Sequence, residues 1–234
     1  MKRIGIIIAM QEELEEMQKY IKESKEKEIK HITYIEGKIG EKNVVIVQCG
    51  IGKVNAAMVT QELIDTYNIE YIVNIGVAGA LNPMLNIGDV IIANKLIQHD
   101  FDITAFGHSK GYITGVGDYI ETDKTLTSKL EKLVTKIDTT NEYKIKFGTI
   151  ASGDIFCTDV SMKEKIYSKF NADCVEMEGA AIAQVCYLNE IPFIVMRSIS
   201  DSPNGENEIA FDKFLKIASK RIAKILNLFI ENNT

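Results

Sequence analysis

Two short segments hold the residues best equipped for chemistry: Val175-Glu176-Met177-Glu178-Gly179-Ala180 and Arg197-Ser198-Ile199-Ser200-Asp201. Each puts carboxylates where a buried apolar strand is expected to end. Ile191 to Ile199 is apolar enough for a central strand, with Arg197 and Asp201 at its C-terminal edge. Cys174-Val175 leads into Glu176 and Glu178, after which Gly179 to Ala183 opens a helix. Open α/β sheets bind ligands at that edge, and carboxylates gathered there can hold hydroxyls, protonate a leaving group or orient water. A small polar substrate follows. Glu178 can be a plain helix-start acid, or it can hold a sugar diol, because a buried carboxylate needs donors and a diol brings two. Asp201, beside Ser200, can act as a proton donor if its surroundings keep a proton on it near neutrality. The plainer role for an acid in Ser200-Asp201-Ser202-Pro203 is to cap a turn. Arg197 would oppose proton donation if it pointed at Asp201. Glu12 and Glu13 stand at a helix start, where acids favour the helix dipole. Only its place at a strand edge makes Glu13 a candidate.

The elements that must position these residues alternate between strand and helix, which implies an α/β fold. Arg3 to Ala9 reads as a buried strand, followed by a helix over about Gln11 to Lys22. The mixed-charge run Lys22 to Lys30 reads as a solvated helix end and loop. Ile32 to Gly37 and Val44 to Gln48 read as paired strands about a turn at Gly40 to Asn43, so the sheet is expected to be mixed. Gly50-Ile51-Gly52 precedes a helix over Lys53 to Tyr67. Tyr71 to Ile75 is a strand that should stop at Gly76-Val77-Ala78-Gly79-Ala80. Small residues in both glycine-containing turns would let backbone approach a flat ligand, or simply permit tight turns. Further strands are expected at Gly88 to Ile97 and Ile145 to Ala151. Helices are expected at Leu126 to Thr135, near Ser161 to Phe170, and at Ala210 to Ile230; His99 to Tyr119 is irregular. No repeat or linker divides the chain, so residues 1–234 are expected to form one domain.

Composition narrows the function. The 234 residues carry a net charge of −6, which gives no footprint for nucleic acid. The apolar start Ile4 to Met10 is too short to span a bilayer and has no signal-peptide cleavage site. Cys49, Cys157, Cys174 and Cys186 lack metal or disulfide spacing, in keeping with a reduced, cytoplasmic protein. His31, His99 and His108 are far apart, so no metal site is expected. Gly50-Ile51-Gly52-Lys53 lacks the third glycine of a dinucleotide fingerprint and the ending of a phosphate loop. No nucleophile–base pair is legible around Ser152 or Ser198.

Taken together, several stretches resemble the 5′-methylthioadenosine/S-adenosylhomocysteine nucleosidase family of the purine nucleoside phosphorylase/uridine phosphorylase superfamily. They are Ile4 to Met10 with Glu12-Glu13, Gly50 to Val54, Asn74 to Gly79, His99 to Gly107, Ser152-Gly153-Asp154, Val175 to Glu178, Arg197 to Asp201 and Phe211 to Phe214. Their order along nearly the whole chain is the family's. The resemblance implies a three-layer sandwich with a central twisted mixed sheet flanked by helices. It also implies hydrolysis of the N9–C1′ bond of methylthioadenosine and S-adenosylhomocysteine, with 5′-deoxyadenosine and 6-amino-6-deoxyfutalosine as further candidate substrates and no cofactor.

By the same resemblance, Asp201 is the general acid at adenine N7, held by Ser200, and Glu13 activates the attacking water. Met177 and Glu178 hold the ribose, and Arg197 contacts the sugar–water region or the carboxylate network that includes Glu176. Val77, Ala78 and Gly79 form backbone close to the ligand. Phe156 stacks on adenine, backbone near Cys157 reads its polar edge, and Met10, Ile51 and Phe211 are apolar walls. Ile103 and Phe106 cover the alkylthio tail of the neighbouring subunit's substrate, which implies a homodimer. Val77, Ala80, His108 and Thr114 depart from the family pattern, and these departures bear on substrate preference. A phosphorylase is the nearest rival, but Glu13 stands where phosphate would need a cation. A nucleoside sensor would need neither Glu13 nor Asp201, and a nicotinamide oxidoreductase would need the missing glycine.

Overall fold

Apolar residues alternate with a period of two along the first strands, and both phases are buried. Ile4, Ile6 and Ile8 of β1 (Arg3–Ile8) face one core, and Ile7 faces the other. Val44 and Ile46 of β4 (Lys42–Gln48) divide from Val45 and Val47 in the same way. A strand apolar on both faces must lie inside a sheet covered on both sides. The computed structural model, which describes residues 1–137, 142–202 and 207–233, without side chains for 207–213, has that arrangement.

On one face lie α2 (Lys53–Thr66) and α5 (Gly179–Leu188), which pack on each other and bury Ala56, Val59, Leu63 and Ala180 to Ala183. On the other lie α1 (Gln11–Gln18), α3 (Lys124–Val134) and α6 (Asn207–Asn232), burying Leu14, Met17, Leu130, Ile222 and Leu226. The chain therefore forms a three-layer α/β sandwich. α4 (Val160–Phe170) sits over a smaller cluster of Ala151, Cys157, Ile166 and Val175.

The central sheet is mixed and has ten strands. β1 runs parallel between β4 and β5 (Ile69–Ala80), and β5 runs parallel to β10 (Phe193–Asp201). β10 pairs antiparallel with β6 (Val90–Gln98), which is parallel to β8 (Ile145–Ser152). β8 is parallel to β9 (Cys174–Glu176), and β9 returns antiparallel to β5. Five strands therefore close a ring, β5-β10-β6-β8-β9, beyond the open edge that the sequence suggested. The short β7 (Ile120–Glu121) adds to β6. Closure requires tilted strands and brings the ends of β5, β9 and β10 together.

Two expectations are corrected. Lys22 to Lys30 is not a loop: β2 (Lys22–Ile29) pairs antiparallel with β3 (Ile32–Ile39), which in turn pairs with β4. Its residues are almost all exposed, so no apolar alternation marks the strand; backbone pairing and the Lys30-His31 turn, both at positive φ, define it instead. Nor does β5 stop at Gly76. Its backbone continues to Ala80 because β10 pairs with Gly76 to Gly79 throughout.

Candidate active site

Glu13 is held by backbone. Its Oε2 accepts from the N–H groups of Met10 at 3.1 Å and Ala9 at 3.3 Å, and its Oε1 from Val77 at 2.9 Å. The helix-start role and the position at the strand edge are thus the same geometry. Glu13 is buried, and burial raises its pKa; Arg197 and the three backbone donors oppose that rise.

Asp201 ends β10. Its Oδ1 is 3.1 Å from the Ser200 hydroxyl, which is also 3.3 Å from the Ala78 carbonyl. Arg197 does not point at Asp201. The cation there is Lys163 of α4, whose Nζ lies 2.7 Å from Oδ2. The turn or helix start that Asp201 could cap runs through residues 203–206, outside the described residues.

Gly76 and Gly79 make room for these two carboxylates. A Cβ on Gly76 would stand 2.8 Å from Glu13 Oε1, and one on Gly79 3.0 Å from Asp201 Oδ2. Neither glycine has the positive φ that a turn would demand; close approach of an acid is the reason for each. Three residues of strand, roughly 10 Å, separate them.

Arg197, only 1 % exposed, lies within β10 behind the cleft. It donates to Glu176 Oε2, to Asn74 Oδ1 at 2.6 Å and to the Met196 carbonyl, and it stands 4.0 Å from Glu178 Oε2. Glu176 is fully engaged: Ser152 Oγ donates to Oε1, and the N–H groups of Glu178 and Gly179 donate to Oε2. Glu178 accepts from the Gly52 N–H at 2.9 Å. That bond ties the Gly50-Ile51-Gly52 turn, where both glycines have positive φ, to the carboxylates. Burial first, then neighbouring Glu176, pushes the Glu178 pKa up to about 7.

Most of these residues line one cleft at the strand ends. Its walls include Met10, Glu13, Ile51, Val77, Ala78, Gly79, Phe156, Cys157, Glu176, Met177, Glu178, Ser200 and Asp201. Ile51 and Phe156 are half exposed at its rim. Arg197 supports the cleft without lining it. Ile103 and Phe106 are not brought to it; Phe106, on the short 3₁₀ turn Thr104–Phe106, is 81 % exposed. The Phe211 side chain lies outside the described residues. Sequence reasoning did not reach Lys163, Asn74 and Ser152, which hold Asp201, Arg197 and Glu176. The signals were a lysine one turn before buried Ile166 and an asparagine inside the apolar run Tyr71 to Ile75. Among the described residues no group of His, Cys, Asp and Glu is placed to hold a metal ion, and no helix is long and apolar enough to cross a membrane.

The chain thus has a ring-closed α/β sheet with a carboxylate-lined cleft at its strand ends, and residues 3–231 match the model of the Phosphorylase superfamily. The 5′-methylthioadenosine/S-adenosylhomocysteine nucleosidase of Staphylococcus haemolyticus is 39% identical over 229 residues, 97% of this chain and 99% of that protein. The Streptococcus pneumoniae nucleosidase of the same name, solved with the transition-state inhibitor MT-ImmA, superposes with a TM-score of 0.93 at 37% identity, covering 99% of this chain and 100% of that one. Futalosine hydrolase of Helicobacter pylori superposes at 0.92 with 33% identity, covering 98% and 97%. The chain belongs to the methylthioadenosine/S-adenosylhomocysteine nucleosidase family of this superfamily.

The raised pKa of Glu178 has a stability consequence with a definite sign. The folded protein holds this proton more tightly than the unfolded chain, so the associated stability is complete below about pH 4.5 and is lost as pH rises through about 7. Glu178→Gln is neutral at every pH. It should melt higher than the wild type at about pH 8, with the gap closing towards about pH 5. Thermal melts at both pH values check this; equal melting at the higher pH would show that the carboxylate is unstrained.

Proposed function

We propose that this protein hydrolyses the N-glycosidic bond of 5′-methylthioadenosine and S-adenosylhomocysteine, releasing adenine and the thioribose product. The observation that carries the reading is the placement of two buried acids, Glu13 and Asp201, at opposite ends of one Gly76-to-Gly79 stretch in a single cleft.

In this mechanism Asp201 donates a proton to adenine N7 as the N9–C1′ electron pair moves into the purine. Glu13 takes a proton from the water that attacks C1′ on the other side of an oxocarbenium-like sugar. Glu178 accepts from the ribose hydroxyls, and Met177 packs against the sugar. Phe156 stacks on the base, whose polar edge meets backbone beside Cys157. Val77, Ala78 and Gly79 form the close floor, with Met10, Ile51 and Phe211 as apolar walls. Phosphate is disfavoured as nucleophile because Glu13 occupies the end of β1 with a carboxylate. The thionucleosides are the reading that the curated relatives favour; 5′-deoxyadenosine and 6-amino-6-deoxyfutalosine extend it, the latter favoured by the likeness to futalosine hydrolase.

The reading extends to a cytoplasmic homodimer formed by one nucleosidase domain over residues 1–234, without cofactor, nucleic acid or membrane partner. Ile103 and Phe106 of one subunit would close the tail pocket of the other. Exposed Val54 and Leu188 line one groove between α2 and α5, and Ile51, Met58 and Phe106 are exposed as well. Sedimentation should therefore give twice the 26.2 kDa of one chain, and Val54→Glu should yield monomers with weakened substrate binding.

Adenine release from methylthioadenosine should proceed without phosphate; strict phosphate dependence would replace hydrolysis by phosphorolysis. Asp201→Asn and Glu13→Gln should each lower kcat by about 10²–10⁴ while the nucleoside still binds. Near-normal turnover by either variant removes that residue from its role. With burial raising the Glu13 pKa, kcat/KM should fall on the acid side at a pH above the usual carboxylate range.

A further inference from the structure

Lys163 is the buried cation that this mechanism leaves unused. It stands on the second turn of α4, its own N–H bonded to the carbonyl of the N-cap Asp159. Its side chain is 2 % exposed and that of Asp201 3 %. An ammonium so deeply buried is costly unless it is paired and hydrogen-bonded. Here Nζ donates to Asp201 Oδ2 at 2.7 Å and to the Ser202 carbonyl at 2.9 Å. Asp201 lines the cleft and Lys163 does not, so the lysine stands behind the acid. One lysine thus grips both the end of β10 and the first residue after it. Charged and titratable groups around the pair are Asp159 and Cys157 on the segment entering α4, and Cys174, Glu176 and Arg197 from β9 and β10. Among these Glu176 and Arg197 are matched to each other.

We propose that Lys163 is a positioning residue for the proton donor: from behind the cleft it holds Asp201 by Oδ2, leaving Oδ1, beside Ser200, to carry the proton to the leaving base. The inference rests on the nucleosidase reading. In the transfer the Oδ1–H bond breaks and the N7–H bond forms. The carboxylate left behind faces the ammonium, which keeps all of its own protons. The two donated hydrogen bonds of Nζ, to Oδ2 and to the Ser202 carbonyl, fix the plane of the carboxyl group and so the direction in which Oδ1 points.

The test compares Lys163→Met, Lys163→Arg and Lys163→Met/Asp201→Asn with the wild type, using adenine release from methylthioadenosine across pH. Lys163→Met should lower kcat about 10- to 100-fold with little change in KM, since Asp201 and not Lys163 lines the cleft. Lys163→Arg, which keeps a donor to Oδ2, should restore most of the lost kcat. In the Asp201→Asn background the methionine substitution should cost nothing further. Wild-type kcat in Lys163→Met overturns the proposal, and so does an equal loss in both backgrounds, which would mark a structural role alone. Should Lys163→Met fail to fold, Lys163→Arg decides, and a raised KM with unchanged kcat there overturns the proposal. Absence of adenine release from the wild type defeats the nucleosidase reading instead.

Discussion

One arginine buried inside a β-strand governs this site. Arg197 would be intolerable there without partners, and Glu176, Asn74 and the Met196 carbonyl supply them. Its field also reaches Glu178 and Glu13. One positive charge thus answers to three carboxylates in a region almost without water. Burial raises the pKa values of Glu13 and Glu178, at Glu178 with help from the adjacent Glu176, and Arg197 opposes both rises.

The ring of strands gives this arrangement its rigidity. Glu13 comes from the helix after β1, Glu176 from β9, Arg197 and Asp201 from β10, and the floor from β5. With β9 and β10 both paired to β5, these strand ends cannot separate without breaking ladder hydrogen bonds. Side chains borne on strands and short helix starts keep their spacing better than side chains on long loops do. The apolar rim is different: Ile51 and Phe156 are half exposed on connecting segments, the places where a site adapts to the size of a substrate's tail.

Much of the fold was legible because burial on both faces writes apolar runs such as Arg3 to Ala9 and Phe193 to Ile199 directly into the chain. Glu176, Glu178 and Asp201 stood out because they lie beside such runs, although capping a turn was the plainer role for Asp201. Glu13 stood out less, since acids are common at helix starts; its place at a strand edge made it a candidate and the family resemblance gave it a role. β2 was missed because a strand solvated on both faces has no apolar period, and the extension of β5 was missed because glycine reads as a break when its partner strand is unseen. Ring closure joins residues 24 or more positions apart and the Lys163–Asp201 pair residues 38 apart, and no local pattern encodes which cation meets which acid. Arg197 illustrates the same limit: its place in the chain left a contact with Asp201 open, whereas its partners are Glu176 and Asn74, and the register of β10 shifts between Ile199 and Asp201.

The charged strand β2 carries a separate consequence. Lys22, Glu23, Lys25, Glu26, Lys27 and Glu28 decorate the outermost strand of the large sheet, and its backbone bulges where Glu23 takes positive φ. An uncapped strand is otherwise a template on which another molecule's strand can continue the ladder. Docking there would strip water from a dense row of ions of both signs, and the bulge breaks the flatness that stacking requires. The charges and the bulge therefore guard this edge of the sheet against the addition of another molecule's strand.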